Sequence, residues 1–385
     1  MTESLEKHLP GDDPWQRFRR QMPVASGRAY LDHAAVAPLT GPAREAITTW
    51  LEDATVNGDV FYPRWKEGIE DLRRLAAGMI GATPEEIALV GNTTAGINLV
   101  AEGFPWQPGD NVVLPDNEFP SNQYPWMNLA SRGVEARRVP MAGGRIDLER
   151  LAAACDRRTR IVALSWVSYS SGWRSDLDEA AEMAHRHGAL LLVDAIQGLG
   201  VFPLDVRRTP IDFLASDGHK WLLGPEGAGV FFIRREHLGL LRPTGVGWHS
   251  VAHSHDFNHV ALAFRDTAAR FEGGSWNMAG MLGLRASLAL LCGLGFEAIA
   301  GRVLEITDLA CQRLSQGGAE IHSDRTPAHA SGIVSFSLPG RDPEALRRRC
   351  LEQGAVLSCR AGRLRISPHA YNNAADIDRL MAALR

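Results

Sequence analysis

The sequence has no C-x-x-C pair, and its five cysteines (Cys155, Cys292, Cys311, Cys350 and Cys359) are scattered and odd in number. That argues against a disulfide framework or a cysteine zinc site, and a reducing cytoplasm is the expected setting. Positive charge is not in excess either. Lys+Arg number 41 against Asp+Glu 45, a net charge of -4, so no basic field advertises nucleic acid or an anionic membrane, and a small-molecule partner is expected. Long apolar runs are also missing: the most apolar stretch, MAGMLGLRASLALLCGLGF, is interrupted by Arg285 and reads as a buried helix. The opening MTESLEKHLPGDDPW lacks the apolar segment of a secretory signal.

What is present is ample core material, with 45% hydrophobic residues in 385, enough for a large α/β unit with a smaller appendage. Short runs recur in the first two thirds: EIALVG, NVVLP, VEARRVP, RIVALSWV, ALLLVD, DFLAS and GVFFIRR. Each has strand length. Between them lie segments with helical spacing, including TTAGINLVAEGF, IDLERLAAAC and SDLDEAAEMAHRHG, the last expected to open on a Ser175 cap and end at Gly188. Strand alternating with helix predicts a mostly parallel sheet covered on both faces. Beyond about residue 290 the pattern turns to long helices and a few strands (GIVSFSLP, AVLSCR, RLRISP), a smaller α+β unit. Ligands of such proteins bind in the crevice beyond the carboxyl ends of the strands.

Three polar signals fall there. ALLLVDAIQG ends a buried strand on Asp194, a carboxylate that needs a cationic or protonated partner. IALVGNTTAGIN runs from strand through glycine into Thr93 and Thr94 at a helix start, where free N–H groups and the helix dipole suit a phosphate. DFLASDGHKW delivers His219 and Lys220 past a third strand. The plain alternatives are helix caps for the threonines and Asp194, and, for HKW taken alone, a strand end with a snorkelling lysine. Together a phosphate cradle, a buried acid and a partly desolvated lysine point to pyridoxal 5'-phosphate (PLP), with Lys220 as its Schiff-base amine and Asp194 against its pyridine nitrogen.

With those residues in place, nearly the whole chain resembles the class V aminotransferases, fold-type I PLP enzymes that include cysteine desulfurases and isopenicillin N epimerase-like proteins. The matching blocks are YLDHAAVAPL, GNTTAGINLVAEG, LPDNEFPSNQYPW, SWVSYSSGWRSDL, LLLVDAIQGLG, SDGHKWLLGPEG, RFEGGSWNMAG and GRLRISPHAYN, in family order. The resemblance implies a large domain over residues 26–290 with a mostly parallel seven-stranded sheet. It also implies a small α+β domain over 291–385 and an N-terminal arm, 1–25, packed on the small domain. It implies that Lys220 carries the cofactor and moves the substrate α-proton through an external aldimine, and that Thr93, Thr94 and His219 hold the phosphate. Phe119 would stack on the ring and Gln197 would reach the phenolic oxygen. Ser275 would reach the phosphate of a neighbouring subunit, implying a homodimer with shared sites. Arg365 would clamp the substrate carboxylate, with Arg360 and His33 also at the substrate; Arg363 or Arg360 is the alternative clamp.

The sequence also departs from the family pattern. Cysteine desulfurases carry a catalytic cysteine on a loop before the carboxylate-binding arginine, whereas GAVLSCRAGRLRIS joins the two directly and leaves too little chain for a mobile loop around Cys359. Tyr169 replaces an asparagine, and Asp217 a serine that often helps with the phosphate. The cluster His249, His253, His255 and His259 reads as a substrate-lining or solvated loop rather than a metal site. The expected activity is C–S lyase, desulfurase-like or epimerase-like, with transamination as the alternative. A non-catalytic protein binding PLP or an amino acid is the reading from another class.

Overall fold

The computed structural model describes residues 13–385. The first half of the expected N-terminal arm therefore lies outside the described residues. Within the rest, Arg19 of the helix Pro14–Arg20 pairs with Asp376 of the C-terminal helix Ala374–Leu384 at 2.7 Å.

Each of the seven short runs named above is a strand of one sheet. In chain order the strands of the protein are β1 (Ala29–Tyr30), β2 (Ile87–Val90), β3 (Asn111–Pro115), β4 (Glu135–Val139), β5 (Thr159–Ser165), β6 (Leu190–Asp194), β7 (Phe213–Asp217) and β8 (Gly229–Ile233). The large sheet has the order β2-β8-β7-β6-β5-β3-β4. Its pairs are parallel except those of β8, which runs against both β2 and β7. Because β8 is the one reversed strand, the carboxyl ends of β2, β3, β5, β6 and β7 share one edge. Alternation along the strands feeds two cores: Leu191, Val193 and Leu214 face one, Leu192, Phe213 and Ala215 the other. Helices cover both faces, so every strand but the edge strand β4 is buried almost throughout, as a parallel sheet requires.

The C-terminal unit has β9 (Glu320–Ile321), β10 (Val334–Ser337), β11 (Ala355–Val356), β12 (Ser358–Arg360) and β13 (Arg363–Ile366). A four-stranded sheet β12-β13-β10-β9 packs with the helix Phe296–Gln316 around a third core. β1 joins this region rather than the large sheet, pairing in parallel with β11. MAGMLGLRASLALLCGLGF forms the helix Met278–Leu294, which meets the next helix at 85°. Among the described residues no single helix is long and apolar enough to cross a membrane.

One expected cap is corrected by a residue. Asp176, not Ser175, opens the helix Leu177–Arg186: its carboxylate accepts from the Asp178 and Glu179 N–H groups at 2.9 and 3.0 Å. Ser175 instead donates to the Ser165 carbonyl. Aspartate adds a charge beside the positive end of the helix, which a serine does not.

Candidate active site

The shared strand edge and the small unit enclose a cavity of about 270 Å³ lined by Lys220, Asp194, His219, Thr93, Thr94 and Arg365, among others. Phe119, Gln197, Asp217, Tyr169 and Arg360 also line it. Residues from widely separated parts of the sequence thus meet in one place.

Lys220 follows β7 on a tight turn. The turn includes Leu223 in the left-handed region (φ 56°), a costly conformation for leucine, and the Leu223 carbonyl is held by the Ser287 hydroxyl at 2.8 Å. Lys220 is only 8% exposed. Burial pulls its amine down to about 8, against the attraction of the Asp194 carboxylate. Asp194, at the end of β6, is pushed the other way: burial raises it to about 6. Among the described residues its side chain has one hydrogen bond, from the Ile196 N–H at 3.1 Å. A buried carboxylate with an oxygen to spare suits a cationic N–H on a ligand.

Opposite lies the start of the helix Thr93–Gly103. Asn92 caps it, accepting from the Ala95 N–H at 2.8 Å, while the Thr93 and Thr94 N–H groups fall in the first turn, which has no intrahelical partners. Close approach of this helix to the sheet depends on Gly96, where a Cβ would come within 2.8 Å of Ala215. The threonine hydroxyls are partly committed: Thr93 Oγ1 accepts from the Asp217 N–H at 2.9 Å and Thr94 Oγ1 donates to Ser121 at 2.8 Å. Thr93 keeps its hydroxyl proton, so that hydroxyl and the free peptide N–H groups are the donors this turn offers an anion.

Gln197 has its amide orientation set on both sides. Nε2 donates to the Ala34 carbonyl at 3.0 Å and Oε1 accepts from the Trp221 indole at 2.8 Å, leaving one N–H. Phe119 is 41% exposed, edge-on to Tyr169 at 5.3 Å between ring centroids, with Lys220 Nζ 5.5 Å from its centroid.

Arg365, on β13, is 1% exposed. Its guanidinium donates to Ser358 Oγ at 3.1 Å, the Tyr169 carbonyl at 2.6 Å and Asp32 Oδ1 at 3.1 Å. A guanidinium has five N–H donors, so two remain for a ligand carboxylate. Arg360 stands on the same face of the hairpin as Ser358, because strand residues alternate. Arg363, the alternative clamp, is exposed at the strand start and does not line the cavity.

Two expected residues are not brought to the cavity. His33 is fully buried behind it, with Nδ1 at 2.9 Å from the Ser367 carbonyl and Nε2 at 2.9 Å from the Tyr371 hydroxyl. With both nitrogens engaged and burial holding the ring well below the usual histidine range, it braces the wall and has no edge left for a substrate. Ser275 is exposed on the segment before the helix Met278–Leu294 and does not line the cavity of its own chain. The histidine cluster is elsewhere too. His249 lies between Trp248 and Trp276, with ring centroids at 3.6 and 4.2 Å and planes tilted by 46° and 39°, His255 meets Lys66 and His259 meets Asp256.

Three neighbours were not singled out from the sequence. Asp32 anchors Arg365 from 333 positions away, and Ser121 receives the Thr94 hydroxyl. Glu118 lies buried behind Asp194, accepting from the Ser165 N–H at 2.7 Å and from its hydroxyl, and burial raises it to about 7. The helix-cap pattern of GNTTAG was a usable signal for Asn92. No local pattern announces Asp32.

Cys359 is placed on the far side of the hairpin. It is opposite Leu364 in the β12–β13 register and borders the third core. Burial pushes its thiol up to about 11, with the Glu344 carboxylate acting in the same direction. Ala361 and Gly362, both at positive φ (50° and 73°), close the hairpin in two residues. Among the described residues no cysteine lines the cavity.

The sequence model of the family described as "Aminotransferase class-V" matches residues 29–380. A probable cysteine desulfurase of Methanothermobacter thermautotrophicus is 34% identical over 350 residues, 89% of this chain and 86% of its own. Among solved structures, the complex of the cystine C-S lyase C-DES with its reaction product cysteine persulfide superposes with a TM-score of 0.89 at 27% identity, covering 94% of this chain and 99% of that one. A C-DES variant with glycine covalently linked to its PLP cofactor also scores 0.89 at 27% identity, covering 95% and 98%. The chain belongs to the class V aminotransferase family.

Proposed function

We propose that this protein is a PLP-dependent C–S lyase that acts on a sulfur-containing amino acid, cystine or cysteine, and releases the sulfur without passing it to a thiol of its own. One observation carries the reading: the depressed Lys220 amine, the Asp194 carboxylate and the Arg365 guanidinium share a cavity that no described cysteine lines. The likeness to C-DES and to named cysteine desulfurases supports the same class of chemistry.

The donor set fits the cofactor. The first turn at Thr93 and Thr94, with His219, would receive the phosphate, Asp194 the pyridinium N–H, Gln197 the phenolic oxygen and Phe119 the ring face. When bound, the cofactor supplies an electron sink for negative charge at the substrate Cα. The rest is the work of this chain. Lys220 anchors the cofactor at rest; once released, its uncharged amine takes the α-proton. Arg365 holds the substrate carboxylate through its two remaining donors and so fixes which Cα bond is presented to Lys220. Breaking the C–S bond lets the sulfur group leave with its electron pair, and hydrolysis of the remainder gives a keto acid and ammonium. Arg360 borders the space into which the substrate side chain would extend.

A homodimer with shared sites fits the exposed apolar side chains at and near the mouth, among them Val36 and Phe119, and those of the 246–262 segment, Val246, Trp248, Phe257, Val260 and Leu262. Ser275 would then meet the neighbouring subunit's phosphate.

Two results test this reading. Capture of PLP by apo-protein should accelerate about tenfold per pH unit up to about 8 and then level off, because Lys220 loses its proton near 8 rather than at 10.5. Stopped-flow absorbance checks this, and a rate that keeps climbing to pH 10 would show an unperturbed lysine. C359A should release sulfur within about twofold of the wild-type rate, since its thiol faces away and holds its proton. Loss of turnover in C359A, or formation of only the enantiomer or only an aminated keto acid from the wild type, would overturn the lyase reading.

A further inference from the structure

Asp217 is 5% exposed and sits at the end of β7, facing the space between His219 and the helix start at Thr93. A free carboxylate there would repel a phosphate. Its geometry removes much of that conflict. Oδ1 accepts from the Gly218 N–H at 2.6 Å, and Oδ2 lies 2.9 Å from His219 Nδ1. The second contact is off the axis of a ring N–H, and that nitrogen is buried with no aligned hydrogen-bond partner. It is therefore a close charge contact rather than an aligned hydrogen bond. The His219 backbone is pinned as well, its carbonyl accepting from the Ala37 N–H at 2.7 Å.

We propose that Asp217 is a positioning residue for phosphate recognition, holding the Nδ1 edge of His219 so that the Nε2 edge donates to the cofactor phosphate. An acceptor on each side of the ring requires a proton on each nitrogen, so the carboxylate and the phosphate bind the same imidazolium from opposite edges. Asp217 thereby turns from a repulsive neighbour into a partner at one remove. This rests on the PLP reading above.

The test uses apo-protein titrated with PLP and with pyridoxal, the same ring without the phosphate, following the visible absorbance gained on Lys220. D217N keeps an acceptor for the Gly218 N–H but removes the charge. It is expected to weaken PLP binding about tenfold and to leave pyridoxal binding within about twofold. In an H219Q background the sign should reverse, because Asp217 has lost its ring partner and only repels: H219Q/D217N should bind PLP more tightly than H219Q. If D217N alone does not fold, the comparison within H219Q carries the test. PLP binding in D217N as tight as or tighter than in the wild type, an equal loss for PLP and pyridoxal, or further weakening in the double variant overturns the proposal. A wild-type protein that gains no Lys220-dependent absorbance from either compound sinks the cofactor reading and this proposal with it, which separates that failure from the others.

Discussion

Replacing Lys220 with alanine should lower sulfur release at least about 10³-fold while PLP remains associated with the protein. The two effects separate because the anchoring groups are distributed. Asp194 at the end of β6, the first turn at Thr93 and Thr94, and His219 belong to different elements, and none takes its position from the Lys220 side chain. The proton transfer has no such reserve. Among the residues lining the cavity, Asp194, Asp217 and His219 are the other bases near Lys220; Asp194 is assigned to the cofactor nitrogen, His219 to the phosphate, and Asp217 is tied to Gly218 and His219. Cofactor content after gel filtration, with turnover measured on the same sample, checks this. Turnover within tenfold of the wild type would show that another group removes the proton.

The second large effect belongs to Arg365. R365K should raise KM about 100-fold and change kcat much less, because an ammonium cannot offer two parallel N–H groups to a carboxylate while also serving Asp32, Ser358 and the Tyr169 carbonyl. R365M goes further. It leaves Asp32 buried without its cation, a loss of about 3–5 kcal/mol, which D32N should largely restore without restoring substrate affinity. Steady-state kinetics of R365K and urea unfolding of R365M and D32N/R365M separate the two roles. An R365K enzyme with unchanged KM would move the carboxylate clamp to Arg360.

Most strands of the large sheet were legible because buried strands of such sheets are short, apolar and separated by helical spacing; the charged edge strand β4 was legible by its length and position alone. The reversal of β8 was not, since periodicity carries no direction. Lys220, Asp194, Thr93 and Thr94 could be read because each follows a strand at the edge where such sheets bind ligands. The side of Cys359 was equally readable: in Ser358-Cys359-Arg360, alternation puts the cysteine opposite the arginine. What could not be read was made by distant pairing. Asp32 reaches Arg365 and β1 reaches β11 across most of the chain, and no local pattern records such a meeting. The burial of His33 was hidden for the same reason: its partners, Ser367 and Tyr371, come from the far end of the chain and turn the ring into the wall.

In the proposed reaction sulfur leaves by elimination and no protein thiol receives it. The most direct test is the carbon product formed from cystine or cysteine by the PLP-loaded enzyme. Elimination predicts one keto acid and one ammonium for each C–S bond broken, with no alanine and no sulfur retained on the chain. Alanine as the product, with the sulfur held on Cys359, would contradict the account.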